Sequence, residues 1–296
     1  MISNKPYSGT GVALITPFNL TGEVDYDSLI LHTERMIKNG IDYLVVLGTT
    51  AETPTLSTKE KENVVRCVVD AAGGRVPLVV GAGGNDTRAS IEAIKQLKKK
   101  GIDAILSVVP YYNKPNQEGI YQHYSAIASA SELPLMLYNV PGRTGTNISA
   151  ETTVRLAVDH PDSIIAIKEA SGDFEQITQL LRTRPDGFMV ISGDDAITLP
   201  MIALGGDGLV SVIGNGYPKL ISSLVKAALG GEFQRSKELH YSLFPMMKAI
   251  FKEGNPVGIK AAMEIRAWCK NVLRLPLVPA TGSLYQEISK LDEGLR

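Results

Sequence analysis

Short apolar runs alternate along the chain with segments in which apolar residues recur at helical spacing. Each run is apolar almost throughout, and does not alternate between apolar and polar positions. Continuous hydrophobicity is typical of a strand that is covered on both faces, as in a parallel sheet. The runs predict eight strands, over residues 12–16, 43–47, 78–81, 104–109, 135–139, 164–168, 188–192 and 208–213.

The segments between the runs carry helix signals. Ser57 and Glu60 have the spacing of a capping box, and the four valines within residues 64–69 then fall on one helical face. A second helical pattern begins at Thr87, and Gly101 is expected to end it as a C-terminal cap. The chain therefore alternates strand and helix from its first strand onward.

Three of the predicted strands share a similar sequence, which starts at the end of the helix before each strand. Residues 38–46 (KNGIDYLVV), 99–107 (KKGIDAILS) and 204–212 (LGGDGLVSV) each read helix end, glycine, aspartate and then a buried run. Such an echo indicates repeated βα units of roughly 30 residues. Eight units predict a (β/α)₈ TIM barrel. An open doubly wound sheet is the alternative, which the absence of G-x-G-x-x-G after the first strand disfavours.

The strand signals stop near residue 230. Beyond that point the pattern predicts three helices, over residues 232–252, 256–270 and 281–291. We therefore expect two domains, a (β/α)₈ barrel over residues 1–230 and a small C-terminal helical domain over residues 231–296. The second of these is either a domain in its own right or a contact between subunits.

Composition excludes several classes of protein. The chain has 296 residues, of which 44% are hydrophobic and 21% charged, with a formal net charge of −1. These values are ordinary for a globular enzyme, and no long basic or acidic run predicts binding to nucleic acid. No apolar stretch approaches the roughly 20 residues that span a bilayer, and the N-terminus lacks the apolar centre of a signal peptide. We expect a cytoplasmic protein with no membrane partner.

The cysteines and histidines predict neither a disulfide framework nor a metal site. Cys67 and Cys269 lie in predicted helices, where two free, buried thiols are expected. The four histidines are scattered over predicted helices without the spacing of metal ligands. No G-x-S-x-G, Walker loop or H-E-x-x-H is present either.

Lys168 is the most informative candidate for chemistry. It ends the apolar run 164–168, and functional groups of a TIM barrel gather where strands end. Burial of an ammonium lowers its pKa, and a neutral amine can attack a ketone to form a Schiff base. The structural alternative is a lysine that reaches into solvent or pairs with Glu169. Glu169 should face the other side of the strand, which makes that pairing less natural.

Three further segments follow predicted strands. Tyr138 ends the strand before that of Lys168, so the two side chains are expected to lie close, where a tyrosine can move protons to and from an imine. Arg143, in a Pro/Gly loop, can bind a carboxylate with its guanidinium fork. Residues 48–52 (GTTAE) offer two hydroxyls and free backbone N–H groups for a small carboxylate. A core tyrosine, a solvated arginine and a Ser/Thr turn are the respective alternatives.

At these residues the chain resembles the dihydrodipicolinate synthase/N-acetylneuraminate lyase family of pyruvate-dependent class I aldolases. The resemblance extends from about Gly9 to the C-terminal helices, and its motifs occur in the family's order and spacing. The matching motifs are residues 48–52 (GTTAE), 110–115 (PYYNKP), 138–145 (YNVPGRTG), 167–170 (IKEA) and 192–195 (SGDD).

The resemblance implies a role for each candidate residue. Lys168 would form an imine with pyruvate, and Tyr138, Thr49 and Tyr112 would form a proton relay, with Tyr112 reaching in from a neighbouring subunit. The substrate-binding residues would be Thr50 for the pyruvate carboxylate, Arg143 for the second substrate, and Gly193 and Val210 through backbone contacts near the imine.

The resemblance also implies the reaction and the assembly. The pyruvate enamine would attack L-aspartate β-semialdehyde to give 4-hydroxy-tetrahydrodipicolinate, the first committed step of diaminopimelate and lysine biosynthesis. No cofactor and no metal would be needed, and the partners would be small-molecule substrates and further copies of the chain, in a homotetramer of two tight dimers. Arg143 and the Thr49–Thr50 pair favour this reaction over N-acetylneuraminate lyase or keto-deoxy-sugar-acid aldolase activity on the same lysine imine.

A catalytically silent barrel that senses sugar acids is an alternative of another class. The presence of Lys168 and Tyr138 with both threonines argues against it, because a silent copy does not need them.

Lysine, which inhibits many members of this family at the tight-dimer interface, is expected to act weakly or not at all. The sensitive pattern has histidines after the Thr-Thr motif and an acid on the third helix, whereas this chain has Thr58, Lys61 and Ala89 there, although Asn85 and Tyr111 match. Without the acid, and with Lys61 adding like charge, an ammonium group binds less well.

Overall fold

The computed structural model describes residues 5–97 and 101–295. In these residues eight strands follow one another in chain order and close into a barrel, which confirms the predicted fold. Among the described residues, six pairs of neighbouring strands have a defined register, and all six are parallel. Most strand residues are buried, as continuous hydrophobicity predicts. The strands are β1 (Gly9–Ala13), β2 (Tyr43–Val46), β3 (Leu78–Gly81), β4 (Ala104–Val108), β5 (Leu135–Asn139), β6 (Ile164–Glu169), β7 (Met189–Ser192) and β8 (Gly208–Ser211).

Helices alternate with the strands and then continue to the C-terminus, which confirms the three C-terminal helices. The helices are α1 (Tyr26–Lys38), α2 (Thr58–Ala72), α3 (Thr87–Gln96), α4 (Gln117–Ala130), α5 (Pro141–Thr144), α6 (Ala150–Asp159), α7 (Phe174–Thr183), α8 (Thr198–Ala203), α9 (Pro218–Leu229), α10 (Phe233–Ala249), α11 (Val257–Ile265) and α12 (Gly282–Glu293).

The position of the first strand was predicted wrongly. Hydrophobicity placed it at 12–16, whereas β1 covers Gly9–Ala13 and pairs with β2 through Gly11 and Tyr43. A Cβ on Gly11 would lie 2.2 Å from Cε2 of Tyr43, so the strand begins in small residues that carry no apolar signal. Leu14 and Ile15 are buried beyond the strand end. The hydrophobicity of these two residues reflects their burial and not membership of a strand.

Smaller differences occur at other strand ends. β2 ends before Leu47, whose φ of 56° leaves the extended region. β8 ends at Ser211, because the chain turns into a 3₁₀ helix at Ile213–Asn215. β6 continues for one residue beyond the prediction and includes Glu169.

The predicted helix starts are confirmed. Ser57 caps α2 through a reciprocal capping box with Glu60. Asp86 accepts the first free N–H groups of α3, which therefore begins at Thr87. The predicted cap at Gly101 does not end that helix, since the last helical residue is Gln96 and Leu97 is its C-cap; residues 98–100 lie outside the described residues.

The sequence echo of Gly and Asp before three strands has a structural reason. In each case the aspartate carboxylate accepts the backbone N–H of a residue on the preceding strand, and the aspartate N–H donates to the carbonyl of the same residue, over 2.7–2.9 Å. Each aspartate thereby fixes the starts of two neighbouring strands. The pairs are Asp42 with Thr10, Asp103 with Leu78, and Asp207 with Val190.

By their contacts the described residues form two compact units. The first unit is Pro77–Val210 with the residues up to Ser8, and the second is Gly9–Val76 with the chain from Ser211 onward. Within the second unit, α10 packs on α9, and α12 contacts both α10 and α11. The division into a barrel over 1–230 and a helical domain over 231–296 stays a prediction.

Candidate active site

Tyr138 and Lys168 are direct neighbours in the first unit. They are register partners on β5 and β6, so their side chains leave the sheet on the same face. Lys168 is 5% exposed and Tyr138 6% exposed. Nζ of Lys168 lies 4.3 Å from the centroid of the Tyr138 ring. The structure thus brings together the amine and the phenol that strand order predicted to be close.

Gly193 gives the Lys168 side chain its space. A Cβ at this position would lie 2.9 Å from Cε of Lys168 and 2.8 Å from Cβ of Ala170. The Gly193 N–H donates to the Glu169 carbonyl over 2.7 Å, which holds the backbone of residue 193 against β6. A side chain at residue 193 would displace Lys168 or Ala170, so the backbone of Gly193 packs against the Lys168 side chain.

Glu169 does not neutralise Lys168. It is fully buried, and its carboxylate accepts from Nδ2 of Asn139 at 3.0 Å and from the Ser171 N–H at 2.6 Å. Gln176 donates to the same carboxylate at 3.3 Å. These partners are on the other face of β6 from Lys168, which agrees with the alternation expected along a strand. Among the described residues no acidic side chain forms an ion pair with Lys168.

Asn139 is a supporting residue that the sequence did not single out. Its Nδ2 also donates to Oδ1 of Asn147 at 2.7 Å, and its Oδ1 accepts the Ile148 N–H at 3.2 Å. Asn139 and Glu169 are register partners, one residue beyond Tyr138 and Lys168. In the sequence, Asn139 directly follows Tyr138 and Glu169 directly follows Lys168. This matched position at the ends of two neighbouring strands is the signal that could have identified Asn139.

The Arg143 loop follows β5. Arg143 is exposed and lies in the four-residue helix α5, which Gly145 ends with a φ of 66°. A Cβ on Gly145 would lie 2.9 Å from Cε of Lys114, so the loop after β4 reaches the loop after β5. Tyr112 in that neighbouring loop is 88% exposed, with a φ of 71°. The predicted contact of Tyr112 with a neighbouring subunit stays a prediction.

Val210 and the two threonines lie where strands end. Val210 is buried on β8 of the first unit. Thr49 and Thr50 belong to the second unit and form a 3₁₀ turn, Thr49–Ala51, directly after β2. Thr50 is 1% exposed, and its Oγ1 accepts from Nδ2 of Asn255 at 2.9 Å. The hydroxyl is thus held in one place by a residue from the C-terminal part of the chain.

Glu52, in the same loop, is held by a buried ion pair. Its Oε1 lies 2.5 Å from Nζ of Lys260, and both side chains are fully buried. Its Oε2 accepts the Arg274 N–H at 3.0 Å. Sequence reasoning did not select Asn255 or Lys260, although a lysine inside the mostly apolar helix Val257–Ile265 is an unusual placement that pointed to a buried partner.

His32 and His123 are buried, and each contacts a polar side chain. Burial lowers the pKa of His32 to about 4 and that of His123 to about 4, so both are neutral at neutral pH. His32 Nε2 contacts Oδ1 of Asn215 at 2.9 Å, and His123 Nδ1 contacts the Thr87 hydroxyl at 2.8 Å. Within residues 5–97 and 101–295, no cluster of three or more metal-ligating side chains occurs.

In the described part of the chain, none of the helices combines the length and hydropathy that crossing a bilayer requires.

Cys67 and Cys269 are free thiols, half-buried and buried respectively. The weak response to lysine predicted from Thr58, Lys61 and Ala89 stays a prediction.

Comparison with known proteins places this geometry in a family context. The model of the dihydrodipicolinate synthetase family matches residues 6–293. A 4-hydroxy-tetrahydrodipicolinate synthase from Parabacteroides distasonis is 51% identical over 283 residues, which cover 96% of this chain and 95% of the relative. The crystal structure of dihydrodipicolinate synthase from Aquifex aeolicus is 39% identical, with a TM-score of 0.94 and coverage of 98% of each chain. A structure described as the first monomeric dihydrodipicolinate synthase variant is 40% identical, with a TM-score of 0.95 and coverage of 97% of this chain and 96% of the other.

Proposed function

The chain belongs to the dihydrodipicolinate synthetase family, and on that premise we propose how its residues carry out the family's reaction. It is a lyase of the class I aldolase type. It condenses pyruvate with L-aspartate β-semialdehyde to 4-hydroxy-tetrahydrodipicolinate, the first committed step of diaminopimelate and lysine biosynthesis. The names of the relatives favour this reaction over that of N-acetylneuraminate lyase or a keto-deoxy-sugar-acid aldolase.

The observation that carries the proposal is the buried amine of Lys168 beside the Tyr138 ring. The two residues are register partners, and Nζ lies 4.3 Å from the ring centroid, with no acidic partner among the described residues. An amine in such surroundings is a nucleophile for a ketone carbon, and a phenol beside it can supply and accept the protons of imine formation.

The chemistry on Lys168 proceeds in three steps. Nζ attacks C2 of pyruvate, and loss of water gives the imine. Removal of a C3 proton gives an enamine, whose C3 forms a bond to the aldehyde carbon of the semialdehyde. The amino group of the semialdehyde then attacks the imine carbon and displaces Nζ of Lys168. One water is released overall, and the lysine returns as a free amine, so the reaction balances without an oxidant or a metal.

We assign the remaining roles by the family resemblance. Thr49 and Tyr112 complete the proton relay with Tyr138, and Thr50 binds the pyruvate carboxylate through its hydroxyl and N–H. Arg143 binds the carboxylate of the semialdehyde. Gly193 and Val210 contribute backbone contacts near the imine. The tight placement of Gly193 against Lys168 supports its assignment.

The assembly that fits these roles is a homotetramer of two tight dimers. Tyr112 is 88% exposed in a single chain, which suits a residue that enters a neighbouring subunit. We further propose that the enzyme needs no cofactor or metal, that it acts on small molecules in the cytoplasm, and that it has no nucleic-acid or membrane partner.

The test of function is consumption of L-aspartate β-semialdehyde by the purified protein, coupled to a reductase that uses the cyclic product. Turnover that depends on pyruvate is the expected result. If borohydride traps pyruvate on Lys168 but no semialdehyde is consumed, the second substrate is a sugar-acid aldehyde. If no adduct forms on the folded protein, the barrel is catalytically silent.

Arg143→Ala is expected to separate the two substrates. The variant should form the pyruvate adduct as the wild type does, because the guanidinium is assigned to the semialdehyde alone. Its kcat/KM for the semialdehyde should fall about 100-fold or more, since a charge-assisted fork to a carboxylate is lost. Borohydride trapping and the coupled assay measure the two effects separately.

Arg182→Ala is the matched control, because Arg182 is a surface arginine of α7 that contacts Gln179. It should leave both measurements unchanged. Equal losses of pyruvate trapping and condensation in Arg143→Ala would show that Arg143 supports the loop and does not select the substrate.

A further inference from the structure

Asn255 makes a buried hydrogen bond to a residue of the proposed pyruvate site. It lies between α10 and α11, and its Nδ2 donates to Oγ1 of Thr50 over 2.9 Å. Thr50 is 1% exposed and Asn255 8% exposed, so water does not compete strongly for this bond. The two residues are 205 positions apart in the chain.

The direction of this bond determines what the Thr50 hydroxyl can do. A hydroxyl has one proton to donate and lone pairs that accept. Because Asn255 donates to Oγ1, the proton of Thr50 cannot point at the same amide nitrogen and is left for another acceptor. We propose that Asn255 is a positioning residue that keeps the Thr50 hydroxyl a donor for the pyruvate carboxylate. This inference rests on the proposed function of Thr50.

The loop that contains Thr50 is also held at Glu52. Glu52 adopts a φ of 53°, and its carboxylate bridges Nζ of Lys260 and the Arg274 N–H. The chain directly after the Thr49–Ala51 turn is therefore held by the C-terminal segment. Asn255 acts on a loop whose backbone is already anchored, so loss of its amide should change the hydroxyl and not the path of the chain.

The inference is tested by a double-mutant cycle with Asn255→Ala and Thr50→Val. The measured quantity is the pyruvate concentration that gives half-maximal borohydride-trapped adduct on Lys168, read by mass spectrometry. Each single variant should raise it roughly tenfold, as expected for one hydrogen bond to a charged group. The double variant should be no worse than Thr50→Val alone, because Asn255 acts only through the Thr50 hydroxyl.

Effects that multiply to roughly a hundredfold in the double variant would overturn the inference, since Asn255 would then act independently of Thr50. The kcat at saturating pyruvate should stay near the wild-type value in Asn255→Ala, while KM for pyruvate rises. A loss confined to kcat would also contradict a role in carboxylate binding. Absence of any adduct in the wild type would instead overturn the proposed function itself.

Asn255→Asp distinguishes hydrogen-bond donation from packing. The carboxylate has the shape of the amide but only accepts, so it would take the Thr50 proton and place negative charge near the substrate carboxylate. This variant should bind pyruvate at least as weakly as Asn255→Ala. Recovery of wild-type binding would mean that only the shape of Asn255 matters.

Asn271→Ala is the matched control, an asparagine of the same C-terminal segment whose backbone N–H donates to Glu264. It should leave pyruvate trapping unchanged. Thermal unfolding of every variant identifies any that fail to fold, and Asn255→Asp keeps the inference testable if Asn255→Ala is one of them.

Discussion

Lys168→Met is expected to abolish formation of the pyruvate adduct and to lower kcat of the condensation by about 10⁴-fold or more. Methionine is similar in length to the lysine side chain, which is 5% exposed, and replaces its apolar stem, but it offers no nitrogen for an imine. Borohydride trapping with mass spectrometry and the coupled assay check the two outcomes. Thermal unfolding should show little change.

Lys219→Met provides the comparison, because Lys219 is an exposed lysine at the start of α9. It should retain both the adduct and the activity. If Lys168→Met still traps pyruvate on another lysine and turns over, the nucleophile has been misassigned and the geometry at Tyr138 has another purpose.

The pairing of Lys168 with Tyr138 was predictable because strand order and strand ends fix it. Consecutive strands of a barrel are neighbours, and the last residues of two such strands meet at the same edge. The register partners Tyr138 and Lys168 confirm this. The first strand was not predictable to the same precision, because Gly9 and Gly11 leave room for the side chains of Asp42, just before β2, and Tyr43, at its start.

The residues that hold the Thr49–Thr50 loop could not be placed from the sequence. Asn255 and Lys260 are 205 and 208 positions from their partners, and neither contact leaves a periodic pattern. An isolated asparagine before a proline is typical of a turn. The lysine inside the mostly apolar helix Val257–Ile265 indicates a buried partner but does not identify it. Tertiary contacts of this kind become visible only in the fold.

Breaking the Lys260–Glu52 pair is the second change with a large expected effect. Both side chains are fully buried and Nζ lies 2.5 Å from Oε1, so either single replacement leaves one polar group buried without its counter-charge. Lys260→Met should lower the free energy of unfolding at neutral pH by about 3–5 kcal/mol, and Glu52→Gln by a similar amount. Denaturant titration measures both.

A double replacement and a change at an exposed ion pair provide the comparisons for this result. The double replacement, Glu52→Gln with Lys260→Met, should cost less than either single one, because it leaves no unpaired charge. The exposed pair Lys252–Glu287 is the control, with side chains 54% and 40% exposed. Lys252→Met should cost less than about 1 kcal/mol, as is usual for surface pairs. Equal losses at the two pairs would contradict the importance of burial.

The stability of Glu52→Gln should depend on pH more strongly than that of the wild type. Burial already lowers the pKa of Lys260, and Glu52 opposes that shift. In Glu52→Gln the folded pKa of Lys260 falls further below its unfolded value, so the unfolded chain binds the extra proton and stability rises with pH. If the stability of Glu52→Gln rises with pH no more steeply than that of the wild type, the interaction between Lys260 and Glu52 is not mainly one of charge.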